Sequence, residues 1–483
     1  MTQPEAKTTE LDGALGVQPG SSGLLLAIVG PASSGPIDVP STFARSKDLI
    51  ATHGAGPLVE AAALHIEKKN LPVVVVRTGN TVAGTVSAVT KTGTGTSVVT
   101  VAASPTPADD FDLYVVIVTG GTRGTAGITY QYSLDGGRTL SPVQALGVAT
   151  SIAIPGAGGV SFDIAAGTLA TGDTISARTT APSWNSSEIT SALTALRNSS
   201  VGWEIVQIVG PIDATTFDAI DLAVTGMAAR HKYRAWVGNV RMPSLAESEA
   251  TYLSSLSAAF GSKSTVLGNL CAGACKLTSA VSGRKYRRPI SFAVASQEAS
   301  VAIHKNIAQI AGNQLVGVAI TDANGNPDEH DESVYPGLDD ARFTTLRTWE
   351  GKQGVYVNLS RVFSPDGSDF RLFTHRRVMN VGRAVVRSHL LGWLNREIVV
   401  DAATGYISEA DAQLIEKGVE RDLESTLRSA PSASSVSYVL NRNDNLLSTR
   451  KLTGRARIVP LGYPESIETE IGFENPALVF RAV

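Results

Sequence analysis

A stretch of 100 residues, 81–180, interrupts an otherwise regular alternation of strand-like and helix-like segments, and any fold must accommodate that break. It holds 19 Thr and 15 Gly but only 10 charged residues. Short alternating runs such as Ile128-Thr-Tyr-Gln-Tyr-Ser133 are separated by turn clusters such as Asp135-Gly136-Gly137. Alternation favours half-buried strands, and the Asp-Gly-Gly cluster favours a hairpin turn. The stretch reads as an inserted all-β module, a sandwich or small barrel.

On either side the pattern is α/β. Leu24–Val29 is a short buried strand that stops at Gly30-Pro31, and Gly56-Pro57 opens a helix with Leu58, Ala62 and Ile66 at helical spacing. Leu71–Arg77 returns as a β-branched strand. Beyond Pro182, Asn185 with Glu188 has the form of a capping box ahead of the stripe Ile189, Leu193, Leu196. Trp203–Val209 is a strand, and Asp213 caps a helix carrying Phe217, Ile220 and Val224. Tyr233–Val237 is the next strand. Ser244 with Glu247 opens another helix with Leu245, Tyr252, Leu256 and Phe260 inward, and Val266–Leu270 and Ile290–Ala295 can supply further strands. Repeated β-α-β order implies a mostly parallel, covered sheet, so the insertion splits a single α/β domain. The class is mixed α+β to α/β, with several domains: the 483-residue length favours two to four.

Charge excludes some partners. Lys+Arg is 41 against Asp+Glu 44, a net −3, far from the basic excess of a general nucleic-acid coat. No run of 18 apolar residues exists to cross a membrane, and the polar start MTQPEAKTTELDG is no secretion signal. Motifs for chemistry are incomplete. Gly30-Pro-Ala-Ser-Ser-Gly35-Pro36 has the two glycines of a phosphate loop without its Lys and Ser/Thr. Asp322, Asn324, Asn326 and Asp328 imitate a calcium loop, yet Pro327 stands where Gly is needed and Ser333 where the bidentate Glu belongs. Cys271 and Cys275 are one helical turn apart and have no His or third thiol at ligand spacing; they read as small buried hydrophobes. The seven His form no HExxH pair, and no G-x-S-x-G elbow occurs. No cofactor, metal site or catalytic set is expected, and the chain does not read as an enzyme.

The last third says more. Phe370–Leu394 is a long helix, and between Arg371 and Arg396 there are six Arg, two His and no acid. A second helix, Ser408–Arg428, carries six acids against three bases. The two helices can pair with each other, or the basic one can present a surface to an acidic partner. Near the C-terminus, Ile467, Thr469, Ile471 and Phe473 alternate with Glu468 and Glu470, and Leu478–Val483 is a further apolar segment. Such a strand needs a sheet edge, either its own domain's or a neighbour's.

Three ordered blocks resemble contractile tail sheath proteins of bacteriophages and related contractile injection machines. The first runs Val29-Gly-Pro-Ala-Ser-Ser-Gly-Pro36, Gly54-Ala-Gly-Pro-Leu58 and Val73-Val-Val-Val-Arg77. The second is Ser333-Val-Tyr-Pro-Gly-Leu-Asp-Asp-Ala-Arg-Phe343 with Leu346-Arg347-Thr348. The third spans Gly354-Val-Tyr-Val-Asn358, Ser368-Asp-Phe370 and His375-Arg-Arg-Val-Met-Asn380. The resemblance implies a helical homopolymer of stacked hexameric rings around an inner tail tube protein, joined to baseplate and tail terminator proteins. It implies assembly in the host cytoplasm as part of a virion tail, without direct nucleic-acid contact or membrane insertion. The implied layout is an N-terminal arm (1–20), an α/β domain in two parts (21–80 and 181–345) around the outward-facing insertion (81–180), a C-terminal sheath domain (346–454) and a β-arm (455–483). Strand exchange between subunits falls on Leu15, Val17, Ile467, Thr469, Ile471, Phe473, Leu478 and Phe480, and the tube-facing candidates are Arg376, Arg377, Arg383 and Arg387. A polymeric surface or shell protein, or a ligand-binding α/β enzyme, are the alternative readings.

Overall fold

The computed structural model describes residues 25–244, 247–320, 330–365, 367–428 and 431–473. Leu15, Val17, Leu478 and Phe480, like the calcium-loop imitation at 322–328, lie outside them. The chain divides into two compact units, 1–394 and 395–483.

In the first unit the apolar runs become a six-stranded sheet. Its order is Gly268–Cys271, Ala235–Val240, Trp203–Ile212, Leu25–Gly30, Val73–Arg77, Ser41–Phe43. All neighbours are parallel except the short Ser41–Phe43 edge. Strands from before and after residues 81–180 thus lie side by side in one sheet.

The eight helices that matter here are α1 (Ser46–His53), α2 (Pro57–Lys69), α3 (Ser186–Asn198), α4 (Ala214–Ala229), α5 (Glu249–Phe260), α6 (Ser291–Ser300), α7 (Phe373–Leu391) and α8 (Glu409–Leu423). Val73–Val76 shows why the central strands lack polar alternation. Val73 and Val75 join Leu58 and Ala62 of α2 and Phe292 and Val294 of α6 in one core. Val74 and Val76 join Leu193, Phe217, Tyr252 and Phe260 of α3, α4 and α5 in another. A sheet covered on both faces buries every residue of such a strand.

Local signals set the helix starts. The Asn185 side chain accepts from the Ser187 and Glu188 amides at 2.9 and 3.0 Å, and Glu188 returns a bond to the Asn185 amide. Asp213 caps α4 in the same way. The cap of α5 is Ser248 rather than Ser244, whose amide instead donates to the Glu247 carboxylate at 2.8 Å.

Two expectations change. Ile290–Ala295 is not a strand but the start of α6, whose residues from Ser291 to Glu298 are all buried. A helix buried all round leaves no polar face, so its apolar run cannot be told from a strand by periodicity. Cys271 and Cys275 sit not on one helix but on successive strands, Gly268–Cys271 and Ala274–Thr278, both buried.

Residues 90–178 contribute antiparallel strands. A five-stranded sheet that includes Asp112–Thr119 and Thr174–Arg178 and a three-stranded sheet that includes Ser161–Ile164 share one core of Leu113, Val115, Ile117, Phe162 and Ile175. Tyr286 enters that core from the strand Lys285–Pro289, which also carries Arg288. The Arg288 guanidinium pairs with Asp109 at 2.7 Å, with both side chains buried. Phe111 meets the Tyr286 ring edge-on at 5.5 Å. These contacts fasten the insertion to the α/β part.

The second unit is small. Ala412, Ile415, Val419 and Leu423 form the buried stripe of α8, which packs on the antiparallel hairpin Ser435–Leu440/Gly454–Val459. The expected 346–454 domain would have joined the two long helices, but α7 belongs to the first unit and α8 to the second.

Candidate assembly interface

The two long helices settle their charges separately. Arg377 of α7 is 1% exposed. Its Nε and Nη2 donate to the two Glu204 carboxylate oxygens at 2.7 and 3.0 Å. Its Nη1 donates to the Glu298 backbone carbonyl at 2.8 Å and reaches the Glu298 carboxylate at 3.4 Å. Ser360 Oγ donates to the other Glu298 oxygen. Burial raises the Glu298 carboxyl to about 7 against the pull of Arg377. This triad ties α7 to the central strand through Glu204 and to α6 through Glu298.

Arg376 is also interior, 3% exposed, with its guanidinium 4.5 Å from the Phe370 ring. Arg376 and Arg377 therefore depart from the expected tube-facing surface: adjacent helical residues point about 100° apart, and here both directions lead inward. Arg383 is exposed and lies over Tyr233 at 4.0 Å, and Arg387 is half-buried. In the second unit, Arg442 forks between Glu409 at 2.7 Å and Glu416 at 2.6 Å. Glu416 also accepts from the Leu440 amide at 2.6 Å, joining α8 to the hairpin.

The hairpin has a sided surface. Its register pairs Tyr438 with Ala456 and Leu440 with Gly454, and Tyr438 and Leu440 are buried. Val439, which lies between them, pairs with Arg455, and Ser437 pairs with Arg457, on the opposite face, where Val439, Arg455 and Arg457 are exposed. A groove of about 370 Å³ runs along Val439, Leu440, Asn441, Thr453, Gly454, Arg455 and Arg457. Among the described residues the sheet has two strands; the Tyr438 and Leu440 amides on the outer edge of Ser435–Leu440 donate to Glu420 and Glu416 of α8, so the unpaired edge is that of Gly454–Val459.

The alternating tail does not close that edge. Residues 466–473 form no strand in the single chain. Ile467, Ile471 and Phe473 are 82, 94 and 111% exposed. Folding back as a strand of its own domain, one of the two options open from the sequence, is not what these residues do.

A second charged cluster lies within the first unit. His330, 1% exposed, stands with Nδ1 2.7 Å from Glu249 of α5 and Nε2 2.8 Å from Glu332. The other Glu332 oxygen accepts from the Gly337 and Asp339 amides at 2.8 and 3.2 Å. Burial alone would lower the imidazole, but its bonds to Glu249 and Glu332 prevail and raise it to about 9 from 6.5. A group whose pKa rises on folding stabilises fully below its unfolded value and loses that contribution as pH climbs through the folded one. Stability is therefore expected to fall by roughly 2–3 kcal/mol between pH 6.5 and 9 from this group. Thermal unfolding across that range should show the slope in the wild-type chain and a flatter one in His330→Gln. An equal slope in both would remove His330 as its source.

The Gly30–Pro36 turn is satisfied internally: Arg77 donates to the Ala32 and Gly35 carbonyls at 2.9 and 2.6 Å. Among the described residues no three His, Cys, Asp or Glu side chains are placed to hold a metal ion. No described helix is long and apolar enough to cross a membrane.

The fold of this chain is similar to that of chains from contractile assemblies. The helical sheath of the anti-feeding prophage in its contracted state matches with a TM-score of 0.53 and 9% identity, over 98% of this chain and 100% of that one. The contracted sheath complex of the extracellular contractile injection system PVC matches at 0.52 and 10%, over 98% of each chain. A chain of the contracted anti-feeding prophage baseplate matches at 0.51 and 12%, over 99% and 100%. These are components of contractile assemblies rather than enzymes. The chain belongs to the DUF2586 family, whose N-terminal domain matches residues 3–361. No curated protein matches it significantly.

Proposed function

We propose that this chain is the subunit of a contractile sheath, a helical homopolymer around an inner tube that shortens to drive the tube through a target envelope. The observation that carries the reading is a full-length match to sheath subunits by a chain with an open hairpin edge and an exposed alternating tail. One heterologous contact, repeated with fixed rotation and rise, generates an open helix. The tail of one copy adds to the free Gly454–Val459 edge of the next. Ile467, Thr469, Ile471 and Phe473 then cover the α8 side, and Glu468 and Glu470 stand beside Arg455 and Arg457. Main-chain hydrogen bonds link the subunits while their bodies turn. Arg383 and Arg387 supply the tube-facing charge, which calls for an acidic tube surface. Baseplate and terminator proteins cap the polymer, as part of a virion tail or a related injection particle assembled in the host cytoplasm.

Electron microscopy of the full chain co-expressed with its tube protein tests the reading. Hollow striated cylinders around a tube are expected. Flat lattices would favour a shell protein, and particles that stay discrete at high concentration would overturn polymerisation.

A further inference from the structure

One stripe of α7 buries cationic and amide groups that no hydrogen bond among the described residues satisfies. Arg376, Asn380 and Arg383 follow at i, i+4 and i+7 and so share one helix face. Arg376 is 3% exposed and Asn380 5%. Among the described residues Arg376 Nε and Nη2 have no hydrogen-bond partner, and neither amide atom of Asn380 has one. Phe370 lies against the Arg376 guanidinium at 4.5 Å and Tyr233 against that of Arg383 at 4.0 Å. The Glu204 and Glu298 carboxylates on α7's buried side are engaged by Arg377. Burial first, then the charge of Arg383, lowers Arg376 to about 10.

Nε and Nη2 are the two donors along one edge of a guanidinium, the edge that takes both oxygens of a carboxylate or two of a phosphate. Buried donors are almost always satisfied, and a parallel pair left open on a buried cation is the arrangement that an oxyanion completes. We propose that Arg376, Asn380 and Arg383 form a binding site for an oxyanion of carboxylate or phosphate size. Arg376 grips it with two donors, the Asn380 amide supplies a third, and Arg383 adds charge. The anion is either free in solution or an acidic side chain of another protein. The site is a property of the single chain and stands whether or not the chain polymerises.

Calorimetric titration of the full chain, at constant ionic strength against chloride, tests it with three probes: inorganic phosphate, acetate and poly-L-glutamate. Saturable binding of phosphate or acetate at one per chain is expected, weakened at least about tenfold in Arg376→Met. Binding of poly-L-glutamate alone, lost in the same variant, would assign the anion to a protein side chain. Asn380→Asp places a carboxylate one turn from both arginines. It should abolish binding of every probe and raise the thermal midpoint, because the missing anion is then supplied internally. Lys417→Met, on the exposed face of α8, should bind as the wild type does. No Arg376-dependent binding of any probe, together with a lowered midpoint in Asn380→Asp, would overturn the site.

Discussion

Removing residues 466–483 is expected to leave a folded, soluble subunit that forms no cylinders, and reversing two charges on the receiving strand should reproduce much of that loss. Exposed Ile467, Ile471 and Phe473 touch nothing that a truncation would uncover, so the body of the chain should unfold at an unchanged temperature. The polymer contact is another matter, because the tail supplies its main-chain ladder. The charge test is more discriminating. Arg455→Glu with Arg457→Glu turns two favourable cross-strand pairs into two repulsive ones. At roughly 0.2–1 kcal/mol per pair, counted once for the loss and once for the repulsion, the change is about 1–4 kcal/mol per contact. That raises the concentration needed to polymerise by about fivefold to a thousandfold. Adding Glu468→Lys and Glu470→Lys to the same chain should restore assembly, since each pair is then reversed rather than broken. Pelleting and electron microscopy read both steps. Cylinders of normal length from the truncated chain would exclude essential strand donation. Failure of the fourfold variant to recover would place the tail on some other edge.

Much of the fold is legible because its signals are local. The Asn185 and Asp213 caps work within three residues, and both helices start where the side chains say. The insertion announces itself by composition, since Thr and Gly suit short strands and tight turns. What was illegible depends on distance. Ser41–Phe43 and α1 are too short for periodicity, and α6 is buried on every side. The arginine helix shows the limit most clearly. Six Arg without a local acid suggest a surface for an acidic partner, yet the acids that engage Arg377 lie 173 and 79 residues earlier. A hint was present all the same: Arg376 and Arg377 are flanked by Phe373 and Val378, at positions that bury a helix face rather than solvate it. For the acidic α8, its partner Arg442 lies beyond the helix, on the loop of the hairpin it packs against. Such pairings follow from topology, which charge counts do not contain.

Arg377→Met is expected to be the most damaging single substitution in the first unit. It keeps the side-chain volume but strands Glu204 and Glu298, which are almost fully buried. Breaking a buried ion pair from one side costs about 3–5 kcal/mol, because an uncompensated charge stays behind. The loss should depend on pH in a definite sense. Glu298 already holds its proton up to about 7 with Arg377 present, and removal of the cation can only raise it further. A carboxyl raised on folding contributes stability that is complete below its unfolded value and lost as pH climbs to the folded one, so a still higher folded value extends the loss to higher pH. The variant should therefore lose less at pH 5.5, where Glu298 is neutral in both chains, than at pH 8. Adding Glu204→Gln and Glu298→Gln to Arg377→Met removes the stranded charges and should recover most of the stability. Thermal midpoints of the three chains at the two pH values provide the measurement. A cost below about 1 kcal/mol, or one independent of pH, would mean that α7 is held by the packing of Phe373 and Val378 and not by the triad.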